Sequence, residues 1–380
     1  MDTLTHSLIG AVSARAITGS RSHCYILVTA LAAAFPDIDY LLFLLNPYQL
    51  ITEWHRGPTH SLLLLPLWAL LLSMLLYLPM RRQVPFLTLL LLCSLGLLSH
   101  IGSDWLTIFG IQLLAPLSDQ RYALGLTFDM DPWISLIVLF ALWSSFKQRR
   151  MAVISVLLFT GYLSFLYYGQ QTALQAIETR IKQENISVHK VHALPQPLVP
   201  WHWRLIIDRH EYYEIAHLSL QAKASELLRP FTIGVISKSQ STLEAHAEGT
   251  GQNNVKAALG YHRNQSNLVW RRLYKFGANK KQAEQLKEIW QHPDLVALRQ
   301  FATLPSLYRV DKSAESSCVW FTDLRYIFPI IKPLFRYGMC RYAADKQWRA
   351  YRLQRGSHND REPIKPSQPL LNYLGNSYSE

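Results

Sequence analysis

The chain has 380 residues, 49% of them hydrophobic and 17% charged, with four cysteines and a formal net charge of +12. The first 169 residues carry 9 Lys+Arg against 8 Asp+Glu, and the remainder carries 29 against 18, so the two halves are different materials and two domains are expected. The basic residues are scattered, with no helix-turn-helix, zinc-finger or RNA-binding signature; this excludes a nucleic-acid partner and leaves attraction to anionic headgroups as the simplest reading of the charge.

The N-terminus lacks the basic start and small-residue cleavage site of a signal peptide, so none is expected. Residues 3–14, 23–36 and 40–52 are uncharged but short, and read as re-entrant helices or spans that only just reach. Residues 61–80 form a twenty-residue run without charge, and 83–99 must turn straight back after Arg81-Arg82. A second pair, 132–146 and 151–177, flanks the Lys147–Arg150 cluster. Four spans are therefore expected, with the basic clusters and Arg15 and Arg21 on the cytoplasmic side.

Past residue 178 the character changes. Pro195, Pro197 and Pro200 read as a linker, 201–208 and 211–220 as two strands joined at Arg209-His210, and 278–303 as an amphipathic helix. Strands are also expected at 319–326, 337–341 and 347–353. The predicted architecture is a polytopic α-helical membrane domain over 1–177 and a soluble, mainly β (α+β) outer-side domain over 178–355. A frayed tail is expected over 356–380. No CxxC pair exists; Cys24 and Cys93 sit in apolar runs, whereas Cys318 and Cys340 can bond if their half meets an oxidising compartment. That compartment is the periplasm if the membrane is a bacterial inner membrane.

Four polar islands break the apolar half: Thr5-His6-Ser7, Pro36–Asp39, His55–Ser61 and His100–Asp104. The expected topology puts all of them at one face of the membrane. Four of the five histidines before residue 170 lie in them; the fifth, His23, falls on the other side. Imidazoles and carboxylates are costly beside hydrocarbon, so a shared metal site is the simplest reason for gathering them. His100 and Asp104 share a helix face one turn apart, a spacing that equally suits a plain helix-end hydrogen bond. His55 and His60 need the turn at Gly57-Pro58 to converge. Arg56 between them suits an anionic group, although an interfacial loop facing headgroups has the same composition. Asp37 and Asp39 face one way if their segment is extended, and are otherwise a charged stop at a helix end. Asp129 and Asp131 read more simply as a cap at the next span. A His/Asp set of this kind suits zinc first, with manganese or iron as alternatives. GxSxG, P-loop and GxGxxG motifs are absent, and His202 and His210 read as ordinary surface residues.

Taken in order, Pro36–Asp39, His55–Ser61 and His100–Asp104 after a Thr-His-Ser start resemble the bacterial membrane-bound metal-dependent hydrolases, the LexA-regulated inner-membrane family, over about residues 1–145. The resemblance implies a helical inner-membrane fold distantly like zinc-dependent phospholipase C. It also implies a metal set of His6, Asp37, Asp39, His55, His60, His100 and Asp104. Hydrolysis of an ester or phosphoester of a membrane lipid or lipid-linked substrate is then expected, with Arg56 holding the anionic group and Asp39 as base or ligand. Two other functions fit the same residues: ion or metal transport, which needs polar residues right through the bilayer, and a membrane-anchored binding module without catalysis.

Overall fold

The protein is described from a computed structural model. The described residues are 1–18, 23–147, 149–185, 187–221, 262–263, 265–328, 333–345, 347–354 and 360–365. Arg21, Gln148 and, of the tail, 355–359 and 366–380 fall outside them. The chain divides into two compact units, Met1–Thr172 with Leu194–Trp201, and Ala173–Ala193 with His202–Glu380. This division, at Thr172, and the one expected after 177 both fall inside one helix, Arg149–Glu184.

The first unit is helical. Helices α1 (Thr3–Thr18) and α2 (His23–Ala34) are followed by a 3-10 segment, Phe35–Leu44, which prolongs α2 into a 22-residue apolar helix, His23–Leu44. A single turn, α3 (Pro47–Gln49), and a π-helical turn lead to His55, and Pro58 opens a 3-10 turn ending at His60. Helices α4 (Leu65–Met80), α5 (Phe86–Trp105), α6 (Pro132–Lys147) and α7 (Arg149–Glu184) complete the set. Among the described residues, two helices, His23–Leu44 and Phe86–Trp105, are long and apolar enough to cross a membrane, and a third crossing counts Pro47–His60 and Leu65–Met80 as one span bent by 74°, where four spans were expected.

The span expected over 61–80 is shortened because Ser61 takes the chain into a turn. Its Oγ accepts from Leu63 N and Leu64 N and donates to Ala115 O, so helix begins only at Leu65, with Pro66 in the first turn. Conversely, 23–36 and part of 40–52 are one continuous helix, because Pro36 is accommodated at the start of the 3-10 segment instead of ending it.

Small residues set the helix spacing. A side-chain carbon added at Gly96 of α5 would lie 2.6 Å from Thr29 O and 2.8 Å from Ala32 Cβ, and one at Gly10 of α1 would lie 2.6 Å from Thr29 O and Ala33 Cβ. Both helices therefore approach the same stretch of the α2 backbone closely. Val28, Ala32, Ala69, Leu72, Leu89, Leu92, Cys93 and Leu97 form the apolar core beside this crossing.

Among the described residues, the second unit holds two sheets. One has the order β1 (Lys190–Pro195), β2 (His202–Asp208), β3 (Tyr212–Ser219), β4 (Arg271–Tyr274). Strands β2 and β3 form the expected hairpin, with His210 at a φ of 61° in the turn. The other sheet is antiparallel: β5 (Pro305–Lys312), β6 (Ser316–Asp323), β7 (Tyr337–Tyr342), β8 (Trp348–Leu353), β9 (Arg361–Pro363). Four of these nine strands were not expected: β1, which ends on the first proline of the expected linker, the short β4, β5, which opens on a proline, and β9, which falls in the tail. Helix α8 (Lys280–Trp290), capped by Asn279, and α9 (Val296–Phe301) replace the single helix expected over 278–303, because Pro293 ends the first. Cys318 and Cys340 are direct partners across β6 and β7, and their sulfurs are bonded. His202 is not a plain surface residue: its ring stacks on His262 at 3.9 Å, and His262 meets His217 edge-on at 5.2 Å.

Candidate metal centre

Three helices and a turn bring the polar islands together. His6 lies one turn before Gly10 on α1, and His100 one turn after Gly96 on α5. The close crossing on α2 thus stacks the two rings at a centroid distance of 3.7 Å. Both are fully buried, as are His60 and Asp104.

The tautomer of His100 is fixed. Its Nδ1 lies 2.6 Å from Ala33 O, a group that can only accept, so Nδ1 carries the proton and Nε2 presents a lone pair. That lone pair faces His60 Nε2 at 3.0 Å. Asp104 Oδ2 lies 3.4 Å from each of these nitrogens. Asp37 Oδ1 stands beyond at 3.9 Å from His60 Nε2 and 3.8 Å from His100 Nε2.

A triangle of two nitrogens and one oxygen with edges of 3.0, 3.4 and 3.4 Å is what a tetrahedral cation needs. Metal–nitrogen bonds of about 2.0–2.1 Å imply ligand–ligand edges of roughly 3.3 Å. Asp37, His60 and His100 form one group able to hold an ion, and His6, His100 and Asp104 a second that shares His100. His6 Nε2 is buried without a hydrogen bond, as a lone pair meant for a cation would be, whereas Asp104 Oδ2 has Arg56 Nε at 3.0 Å. The donor set of imidazole and carboxylate fits zinc, manganese or iron.

The remaining partners hold these ligands in place. Thr3 Oγ1 donates to Asp37 Oδ2 at 2.6 Å, His6 Nδ1 meets Ser103 Oγ at 3.0 Å, and His60 Nδ1 meets Thr59 Oγ1 at 3.0 Å. His6 Nε2 and the Met1 amino group both approach Asp104 Oδ1, at 3.2 and 2.5 Å.

His55 and Asp39, expected among the ligands, pair with each other at the edge of the cluster. Both Asp39 oxygens lie 3.2 Å from His55 Nδ1, and Oδ2 also accepts from Arg56 N at 3.0 Å. Asp37 and Asp39 both point inward although their segment is 3-10 helical and not extended. Arg56 is buried, not open to an anion. Its Nε lies 3.0 Å from Asp104 Oδ2, its Nη1 meets Thr107 Oγ1 at 2.7 Å and Asp129 Oδ1 at 3.3 Å, and its guanidinium covers the Phe109 ring. The pair Asp129 and Asp131 is divided: Asp129 faces Arg56, while Asp131 caps α6 through Trp133 N and takes the Tyr162 hydroxyl.

Sequence reasoning missed Thr3, Tyr40, Ser103 and Thr107. Thr3 and Ser103 were reachable, since each lies three residues from a histidine on the same helix, the spacing that puts side chains on one face. Tyr40 and Thr107 carry no such signal.

The residues of this cluster all fall in the part of the chain that has known relatives. The uncharacterized protein YfhP of Bacillus subtilis (strain 168) is 32% identical over 173 residues, which are 43% of this chain and 52% of that protein. The chain thus spans about half the length of the curated relative it matches. No solved structure matches it. Residues 1–173, from the first helix past the last cluster residue, match the family described as YdjM inner membrane protein.

Proposed function

We propose that the first unit is an integral, multi-pass inner-membrane domain whose buried cluster holds a divalent cation, zinc first. It hydrolyses an ester or phosphoester of a lipid or lipid-linked substrate. The observation that carries this reading is the triangle of His60 Nε2, His100 Nε2 and Asp104 Oδ2, with Asp37 Oδ1 as fourth donor. When bound, a cation of this kind lowers the pKa of a coordinated water and polarises the oxygen of the bond to be cut.

The chain's own residues do the rest. His60, His100, Asp37 and Asp104 would hold the ion, and Ala33 O and Thr3 keep His100 and Asp37 in their coordinating orientations. Arg56 offsets the charge of Asp104 and Asp129, so the site gathers carboxylates without stacking up negative charge. A lipid substrate fits apolar helices on which Leu41, Leu44, Leu75 and Leu91 are exposed. The distant relation to zinc-dependent phospholipase C that the family resemblance implies would make phosphoesters the first bonds to test.

With Arg81-Arg82 and Lys147–Arg150 read as cytoplasmic, the second unit would lie in the periplasm, and a Cys318–Cys340 disulfide supports that reading. The test is the purified full chain in detergent, assayed with and without zinc against a panel of phospholipids and lipid-linked esters, beside His60→Ala. Zinc-dependent release of headgroup or acyl chain, lost in the variant, is the expected result. No turnover across the panel by zinc-loaded protein overturns the hydrolase reading.

A further inference from the structure

Tyr40 belongs to no metal-binding pattern, yet it is tied to the cluster. It sits on the 3-10 segment Phe35–Leu44, on which Asp37 and Asp39 are buried while Ile38, Tyr40, Leu41, Phe43 and Leu44 are exposed. Tyr40 is 50% exposed, as its apolar neighbours are. Its hydroxyl nevertheless turns back to His55 Nε2 at 3.2 Å, with the two rings 4.5 Å apart.

The hydrogen-bond roles along this line are determined. An ionised Asp39 carboxylate can only accept, so the proton of a neutral His55 lies on Nδ1, facing both Asp39 oxygens at 3.2 Å. His55 Nε2 then carries the lone pair, and the Tyr40 hydroxyl donates to it. Asp39, held by His55 and by Arg56 N, stands 3.7 Å from His60 Nδ1, the ring nitrogen on the far side from the Nε2 that would bind metal; the hydrogen bond of that nitrogen is to Thr59 Oγ1 at 3.0 Å, so Asp39 acts on the ring through its charge. A negative charge this close behind a coordinating imidazole raises its basicity.

We infer that Tyr40 is a positioning residue of the metal centre: through His55 it sets the Asp39 carboxylate that backs His60. This rests on the metal-centre reading above. It gives His55 and Asp39 a common part to play behind the ligands, and it extends the site to a residue on the outer face of the helix. Without the hydroxyl, His55 Nε2 loses its hydrogen-bond donor, the ring is held from the Asp39 side only, and the Asp39 carboxylate is no longer fixed in its place behind His60.

The experiment is a Co2+ titration of the full chain in detergent, followed by visible absorbance, for wild type, Tyr40→Phe and Tyr77→Phe. Tyr77 is a half-exposed tyrosine on α4 that packs edge-on against Phe86. Metal-free melting temperatures are measured alongside. Tyr40→Phe is expected to bind Co2+ about tenfold more weakly, with altered absorbance bands and an unchanged metal-free melting temperature, while Tyr77→Phe matches wild type. Equal affinity in wild type and Tyr40→Phe overturns the inference and leaves the metal centre standing. A weaker affinity with an equally lowered metal-free melting temperature assigns Tyr40 to packing and also overturns it. Wild type that takes up no Co2+ overturns the metal reading itself.

Discussion

His60 and His100, forty positions apart, hold their Nε2 atoms 3.0 Å from each other, although the His100 nitrogen has no proton to offer. A proton on His60 Nε2 or a cation between the two rings is needed to keep them there. Elemental analysis of purified protein is expected to find a stoichiometric transition metal, zinc first, in wild type. His100→Ala and Asp104→Ala should each lose it, because each removes a corner of the triangle. Wild type that is metal-free and takes none up in titration would contradict this.

Arg56 should matter for stability before it matters for turnover. Its guanidinium is buried between Asp104 and Asp129, and removing one partner of a buried ion pair costs about 3–5 kcal/mol because the other is left uncompensated. Arg56→Gln is expected to lower the melting temperature sharply, and Arg56→Gln combined with Asp104→Asn to recover part of the loss. Thermal unfolding in detergent reads both. A fully stable Arg56→Gln would return the residue to the substrate-binding part expected from the sequence.

The helix crossing gives a prediction away from any charge. Gly96→Val would drive a side chain into Thr29 O and Ala32, so α5 must shift off α2. A loss of about 1–3 kcal/mol is expected from the overpacking alone. The same shift pulls His100 from Ala33 O, so metal content should fall together with stability. A variant that melts earlier yet keeps its metal would show that the crossing does not set the His100 position.

In the second unit, the bond between Cys318 and Cys340 closes a loop with a sequence separation of 22. Reduction, or Cys340→Ser, is expected to cost about 3 kcal/mol. Protein from an intact cell should run as the oxidised form on a gel after thiol blocking. Fully reduced thiols in freshly blocked cells would argue against an oxidising location for this unit.

Acid should weaken the second unit. Burial lowers both His192 and His202 to about 4, and burial together with His202, His217 and Arg204 holds His262 well below the imidazole range. An unfolded imidazole titrates near about 6.5. Between there and about 4 the unfolded chain therefore binds more protons than the folded one, and stability falls as pH drops through that window. The melting temperature is expected to decline from about pH 6.5 toward pH 4, and His202→Gln to flatten the decline. A flat profile in wild type would remove these histidines from the explanation.

The parts legible in the sequence were those with a short-range signature. His100 and Asp104 declare themselves by spacing on one helix, and the long apolar runs announce helices without help. The β2–β3 hairpin is readable because its hydrophobic runs flank a turn that accepts a positive φ at His210. What the sequence hides is long-range. Nothing near Arg56 marks Asp129 as its partner 73 positions on, and nothing near His55 marks Tyr40, 15 positions before it. Strand β1 is hidden for another reason: it is a strand by its pairing with β2, and its own last residue is the first proline of the expected linker.

One carboxylate links the island near the N-terminus to those that follow. Asp104 is approached by His6, Arg56, His60 and His100, and it is the last of the ligands to be made. A cation held there would draw on residues from α1 to α5, so a site that includes Asp104 is complete only once α5 has joined the helices before it. Such a cation would reward an arrangement that helix packing has already reached, and a product that stops before α5 lacks both His100 and Asp104.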